Sequence, residues 1–274
     1  MGKKQHYVPR FVLKNFCIDG EKNRCWEYNL YNKKYSKKRI TEICAKEYLY
    51  EIRNESREFI NPKGVNNLEN ALGKIETQYA PFLNSICDEI SNKQHVILES
   101  NDRESICIWI ALMILRNPIV KKAIPDVSKE FGYFINQYEE TDIMFNTTLT
   151  KLSENIKNDL LKGKICFLEA YKGDGFIISD IPVIFKGSPI HEFCFTALSP
   201  RYGLVFYKSE NVLENLNKCD KRILSEEETM AYNCRIYNVM NNSFNSDLKT
   251  GGSVISNNEE TLKKAVMNAY QYPI

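Results

Sequence analysis

The sequence predicts an α+β fold with helices in the middle of the chain and strands on both sides of them. Short stretches that alternate between apolar and polar residues lie in residues 1–52 and return in residues 164–274. Between them, residues 68–163 carry apolar residues at helical spacing. Because neither a linker nor a repeat divides the 274 residues, the whole chain, 1–274, is interpreted as one α+β domain.

The N-terminal part is predicted to form a β-hairpin. Residues 23–30 and 34–40 alternate in type on either side of a short Tyr-Asn-Lys link, which is typical of two antiparallel strands joined by a turn. Before them, residues 5–16 set a histidine, an arginine and a proline among large apolar side chains. We expect this opening segment to be buried against the middle of the protein, because a frayed terminus would leave those side chains exposed.

The same N-terminal part is strongly basic. Residues 1–39 contain eleven Lys or Arg and three Asp or Glu, a charge of +8, whereas the whole chain carries only +2. A basic lobe over residues 1–52 would attract polyanions such as nucleic acid. The tyrosines within residues 1–39 offer rings on which bases can stack: Tyr7, Tyr28, Tyr31 and Tyr35. The alternative is a solvated hairpin face without a partner.

The middle part, residues 68–163, is predicted to be a helical bundle around one apolar helix. A helical stripe of apolar residues begins the bundle at 68–90. The run 106–115 is apolar throughout, so its helix should be covered on most sides and should end before Pro118. Ten residues are half of what a bilayer requires, so no membrane partner is expected. An amphipathic pattern over 126–162 predicts one long helix or two.

The C-terminal part, residues 164–274, is predicted to mix strands and helices. Two hairpins are expected, each made of two apolar strands and a short turn: 164–171 with 176–180, and 191–198 with 202–208. Two helices are expected to complete the chain, near 224–241 and 258–269.

Cysteine usage indicates a cytoplasmic protein. Nine cysteines occur without a CxxC pair or a regular spacing, and the first residues lack the apolar core of a secretory signal. Such a pattern is typical of reduced thiols in a cytosolic protein.

Several stretches of the sequence together resemble one bacterial family. They are QHYVPRFVLKNF at 5–16, LENALGKIE at 68–76, LRNP at 115–118, SDIPV at 179–183 and ALSPRYGLVFY at 197–207. This combination resembles the domain of unknown function 4238. Asn117 stands where that family usually has Thr, and Ala197 where it usually has Pro. The resemblance implies a fold shared by many bacterial proteins and brings no established activity with it.

Polar residues embedded in apolar stretches are the candidates for catalysis: His6, Glu76, Arg116 and Asp180. His6 suits a general acid or base because the pKa of histidine lies near neutrality. Arg116 would hold a phosphate and stabilise developing negative charge. Asp180 would orient the histidine or, with Glu76, hold a divalent metal ion as cofactor.

Four residues that lie close in sequence to His6 or Asp180 are expected to contact the substrate: Gln5, Tyr7, Arg10 and Ser179. Together with the basic lobe they predict a nuclease or phosphodiesterase acting on nucleic acid, in a bacterial stress or phage-defence setting. The alternative is a non-catalytic module that binds nucleic acid or a partner protein, with a His–Arg–Asp cluster that only pins the N-terminal segment to the core. Motifs for P-loop, dinucleotide, zincin and serine-hydrolase chemistry do not occur.

Overall fold

The computed structural model describes residues 4–54, 56, 58–60, 67–130, 138–186, 193–208, 216–245 and 252–272. The described chain confirms the α+β class. Its N-terminal elements are β1 (Lys4–His6), α1 (Arg10–Asn15), β2 (Arg24–Asn29), β3 (Lys34–Arg39) and β4 (Ala45–Glu47). Its middle elements are α2 (Asn67–Asn92), β5 (His95–Ile97), α3 (Ser100–Leu115), α4 (Pro118–Glu130) and α5 (Tyr138–Leu160).

The C-terminal elements follow the predicted mixture of strands and helices. The strands and helices are β6 (Gly163–Glu169), β7 (Ile178–Ser179), β8 (Val183–Lys186), β9 (Phe193–Ala197), β10 (Tyr202–Lys208), β11 (Lys218–Ile223), α6 (Glu226–Asn245), β12 (Ser253–Ser256) and α7 (Glu259–Asn268). A turn of 3₁₀ helix, Ala269–Gln271, ends the described chain.

The described strands form three sheets. The largest has six strands in the order β5-β11-β6-β10-β9-β8, and β11 runs parallel to β6 in it. A four-stranded antiparallel sheet has the order β3-β2-β12-β7, and β1 pairs with β4. The predicted hairpin of β2 and β3 is therefore confirmed, and it shares its sheet with two C-terminal strands, because Asn29 is the partner of Ser253.

One predicted hairpin is wrong and the other is confirmed. Residues 164–171 do not pair with 176–180, because β6 uses one edge for β10 and the other for β11. After β6 the chain turns at Gly175, whose φ of +69° suits glycine, and enters the four-stranded sheet as β7. β9 and β10 do form the second hairpin, with residues 191–192 of its predicted first strand outside the described ranges.

The apolar helix lies at the centre of the helical part, as the sequence predicts. α3 buries nearly all of its length after Arg103, and Trp109 on it is 3% exposed. The pattern over 126–162 belongs to the end of α4 and to α5, with residues 131–137 outside the described ranges. α4 starts directly at Pro118, a residue well suited to the first position of a helix. Within the described helices, none combines the length and the apolarity that crossing a membrane requires.

The opening segment is buried as expected. β1 pairs with β4, and Val8, Val12, Leu13 and Phe16 join the hydrophobic core with at most 2% exposure. This burial places the main chain of His6 against the end of α3, where the candidate residues meet.

Candidate functional site

Arg116 is buried at the C-terminal end of α3 and uses all three of its guanidinium nitrogens. Nε donates to the hydroxyl of Tyr50 at 3.1 Å, Nη1 donates to Oε1 of Glu76 at 2.7 Å, and Nη2 donates to the main-chain carbonyl of His6. Burial alone would lower the pKa of Arg116, but Tyr50 and Glu76 outweigh it, so the pKa is raised. Arg116 therefore stays charged and joins α2 and α3 to the N-terminal segment.

Asp180 is 2% exposed at the end of β7 and joins three segments of the chain. Its Oδ1 accepts from the Tyr7 hydroxyl at 2.8 Å, and its Oδ2 accepts from the main-chain nitrogens of Gly252 and Ser253 at 2.5 and 2.7 Å. Its main-chain carbonyl accepts from the Asn117 side-chain amide at 2.6 Å. A carboxylate with these three donors is held in one orientation.

The ring of His6 lies in the interior and contacts the main chain. The side chain's Nε2 lies 3.2 Å from the carbonyl oxygen of Ile40 and must donate to it, because a carbonyl only accepts. Burial lowers the pKa of His6 from 6.5 to about 4, and the charges of Arg10, Arg116 and Lys4 contribute in the same direction. Arg10 itself is exposed at the start of α1. At neutral pH the His6 ring is therefore uncharged.

The structure brings the predicted catalytic residues into one connected cluster, but through different atoms from those expected. The carbonyl of His6, and not its ring, accepts from Arg116 and from the hydroxyl of Tyr50 at 3.1 Å. The next residue, Tyr7, supplies the side chain that reaches Asp180. Asp180 thus orients Tyr7 and the backbone at the start of β12, whereas the expectation was that it orients the imidazole.

The pair expected to bind a divalent cation has separate partners. Glu76 bonds to Arg116, and Asp180 bonds to Tyr7 and to main-chain nitrogens near β12. Within the ranges that the structure describes, no group of three or more His, Cys, Asp or Glu is placed to hold a metal ion.

Two of the expected substrate contacts are internal hydrogen bonds. Gln5 is fully buried, donates to Oε1 of Glu51 at 2.6 Å and accepts from the Tyr50 main-chain nitrogen at 2.8 Å. Ser179 is also fully buried, and its hydroxyl donates to the carbonyl of Ile181 at 2.9 Å. Both side chains fix the backbone around the cluster.

A cavity of about 460 Å³ borders the cluster, and its wall includes a carboxylate that the sequence analysis missed. Asp180 and Tyr7 line it together with Glu27, which is 4% exposed and accepts a hydrogen bond from the Ser253 hydroxyl. The sequence could have indicated that Glu27 is buried, because the alternation along β2 places Glu27 on the same face as the buried Cys25.

The state of the His6 ring makes stability dependent on pH. His6 takes up a proton near pH 6.5 in the unfolded chain but only near pH 4 in the folded protein. The contribution of the neutral His6 ring to the free energy of unfolding is therefore fully present above pH 6.5 and is lost as the pH falls towards 4. We expect the free energy of unfolding to fall by about 1 kcal/mol per pH unit in that window. Urea unfolding at pH 7 and pH 5 measures the difference.

The matched control for this prediction is His6→Gln, whose side-chain amide can still donate to the carbonyl of Ile40 but does not titrate. The variant should lose this part of the pH dependence. Equal pH slopes for the two proteins would mean that His6 is not held neutral.

Fold and cluster together define an α+β protein in which a buried polar cluster joins an N-terminal segment to a helical bundle and a C-terminal sheet. The chain belongs to the family described as a protein of unknown function, DUF4238, whose family model matches residues 4–245. This confirms the resemblance drawn from the five stretches of sequence. Comparisons with curated proteins and with solved structures gave no match.

Proposed function

We propose that this protein binds nucleic acid through exposed cations and that the buried polar cluster around His6, Arg116 and Asp180 maintains the fold. The observation that carries the proposal is the tip of the β2–β3 hairpin. Tyr31 is 61% exposed there, next to the exposed side chains of Lys33 and Lys34.

Side-chain hydrogen bonds hold the turn at the hairpin tip. The side-chain oxygen of Asn29 accepts from the main-chain nitrogens of Tyr31 at 3.0 Å and Asn32 at 3.3 Å, and that of Asn32 accepts from the Lys34 nitrogen at 3.0 Å. A hydrogen-bonded turn that presents an aromatic ring beside two ammonium groups suits single-stranded nucleic acid, because bases stack on the ring and phosphates approach the ammonium groups.

The other three tyrosines within residues 1–39 do not support base stacking. Tyr7 and Tyr28 are buried, and the Tyr35 ring packs on Tyr28 with 4.7 Å between ring centroids. Stacking is therefore assigned to Tyr31.

The hydrogen bonds of the cluster favour binding over cleavage by the residues first predicted. The Arg116 guanidinium and the Asp180 carboxylate are each held by three or more groups of the protein itself. A phosphate could reach them only by replacing these bonds, and each broken bond to a charged group costs about 1.5–3 kcal/mol.

A second candidate function, metal-assisted phosphodiester cleavage, is favoured by the cavity beside the cluster. Glu27 and Asp180 both line it and are linked through Ser253, which bonds to both carboxylates. Mg²⁺ sites commonly combine one or two carboxylates with phosphate oxygens of the substrate. Lys38 and Lys46 on the same cavity would contact that phosphate. The divalent cofactor would then be held by Glu27 and Asp180 in place of Glu76 and Asp180.

All nine cysteines are free thiols, which supports the proposal of a reducing compartment such as the bacterial cytoplasm. The stress or phage-defence setting remains a proposal that rests on the bacterial distribution of the family alone.

Fluorescence anisotropy with a labelled single-stranded oligonucleotide of about 20 nucleotides tests the proposed binding. We expect salt-sensitive binding that is about fivefold weaker in Lys33→Gln/Lys34→Gln, because this variant loses two charges at the tip but keeps polar side chains there. Binding should survive in His6→Gln, which leaves the hairpin tip unchanged. A wild-type protein that binds no oligonucleotide at low salt would contradict the proposal.

Incubating the same complexes with Mg²⁺ or Mn²⁺ separates binding from cleavage. The preferred function leaves the oligonucleotide intact. Products that form with wild-type protein and disappear with folded Glu27→Gln would establish the second candidate.

A further inference from the structure

A second cavity, of about 670 Å³, lies where β4 and the segment after it meet the start of α4. Four cationic side chains border this groove: Lys46, Arg53, Lys121 and Lys122. Glu47 and Asp142 are the acidic residues on its wall, so the lining carries an excess of two positive charges. The cations come from two regions of the chain almost seventy residues apart, and only the fold brings them together.

Asp142 neutralises one of the cations locally. Its Oδ1 lies 2.5 Å from Nζ of Lys121, and its Oδ2 accepts from the main-chain nitrogen of Arg53 at 3.2 Å. Lys121 also donates to the carbonyl of Leu49 at 2.7 Å. This ion pair joins the segment after β4 to α4 and α5. The other cations of the groove lining are Lys46, Arg53 and Lys122.

The groove brings positive charges together at the start of α4. α4 begins at Pro118, so Lys121 and Lys122 stand near the positive end of its dipole, and its first turn contains no acid. The pKa of Lys46 is lowered, first by partial burial and then by repulsion from Lys122, Lys121 and Arg53. A bound anion would relieve this repulsion.

Aromatic rings hold the Arg53 side chain in position. Its guanidinium carbon lies 4.9 Å from the ring centroid of Tyr48 and 5.3 Å from that of Phe59, and the two centroids are 4.7 Å apart. Cation–π contacts of this kind hold the guanidinium close to the two rings. A planar group fixed in advance suits the two-pronged recognition of phosphate oxygens.

We propose that this groove is a phosphate-binding site in which Lys46, Arg53 and Lys122 contact a phosphodiester or polyphosphate group. The choice of a nucleic-acid backbone as ligand rests on the proposed function. The proposal that the groove binds a phosphate group is argued independently, from its lining cations and from the position of Arg53.

The test uses the double variant Lys46→Ala/Lys122→Ala, in which both altered side chains are exposed at the surface. The matched control Lys93→Ala/Lys162→Ala removes the same net charge from two exposed lysines outside the groove lining. Each protein is titrated with the labelled oligonucleotide at several salt concentrations, and separately with sodium tripolyphosphate while the melting temperature is followed.

We expect the groove variant to bind the oligonucleotide about tenfold more weakly than wild type, with a shallower salt dependence, and the control to change by less than about threefold. Tripolyphosphate should raise the melting temperature of wild type and control but not that of the groove variant. Oligonucleotide binding that is equal in wild type and groove variant would overturn the nucleic-acid assignment of the groove.

The two probes separate the failure of this inference from the failure of the proposed function. If the wild-type protein binds no oligonucleotide but tripolyphosphate stabilises it through Lys46 and Lys122, nucleic-acid binding fails and the groove stands as a polyphosphate site. If the oligonucleotide binds and neither probe distinguishes the groove variant from the control, binding stands and the groove inference is wrong.

Discussion

Arg116→Met is expected to lower the free energy of unfolding by about 3–5 kcal/mol, the largest effect of a single substitution at the cluster. Arg116 is 2% exposed and bonds to Glu76, to Tyr50 and to the carbonyl of His6. Methionine fills most of the volume but donates no hydrogen bond, so three groups lose a partner at once. Urea unfolding at pH 7, followed by tryptophan fluorescence, measures the change.

The control is Glu76→Gln. The side chain of Glu76 is 23% exposed, and glutamine keeps an oxygen that accepts from Arg116, so we expect a loss of only about 1–2 kcal/mol. An Arg116→Met protein that unfolds within about 0.5 kcal/mol of the wild type would show that Arg116 does not hold the N-terminal segment in place.

Asp180→Asn is expected to cost about 2–4 kcal/mol. The carboxylate accepts from the hydroxyl of Tyr7 and from the nitrogens of Gly252 and Ser253, and an amide of the same shape turns its NH₂ group towards at least one of these donors. The same unfolding experiment checks this.

Tyr7→Phe provides the comparison, because it removes one of these three bonds and leaves the carboxylate in place. Its expected cost is about 1–2 kcal/mol, clearly below that of Asp180→Asn. If Asp180→Asn were as stable as the wild type, the carboxylate would have no structural role, and the cavity that it shares with Glu27 would become the better candidate for chemistry.

Local pattern predicted the class of the fold and the elements that depend on neighbouring residues. Alternation identified the β2–β3 hairpin, and the unbroken apolar run identified α3. The wrong hairpin over 164–180 is a failure of the same reasoning, because β6 and β7 are close in sequence but pair with strands more than thirty residues further along the chain. Such non-local pairing leaves no trace in the turn between them.

The candidate residues were found for a physical reason that the structure confirms. Polar side chains in apolar segments must find partners when they are buried, and His6, Arg116 and Asp180 are all buried and bonded. The sequence could not tell that the carbonyl of His6 would meet Arg116 while its ring faces Ile40, because such a choice depends on backbone geometry.

The cationic groove was missed because its members are unremarkable one by one. Lys46 and Arg53 follow the basic hairpin, and Lys121 and Lys122 are ordinary lysines near a helix start. Their significance comes from the packing of α4 and α5 against the segment after β4, where the Lys121–Asp142 pair joins these elements.

The affinity of one labelled oligonucleotide for two variants tests the central claim most directly. Both Asp180→Asn and Lys33→Gln/Lys34→Gln are measured at a low temperature at which circular dichroism shows them folded. We expect Asp180→Asn to bind within about twofold of the wild type and the hairpin variant to bind about fivefold more weakly. The account would be contradicted if a folded Asp180→Asn protein lost binding while the hairpin variant kept it. That result would mean that the buried cluster, and not the surface cations, binds the nucleic acid.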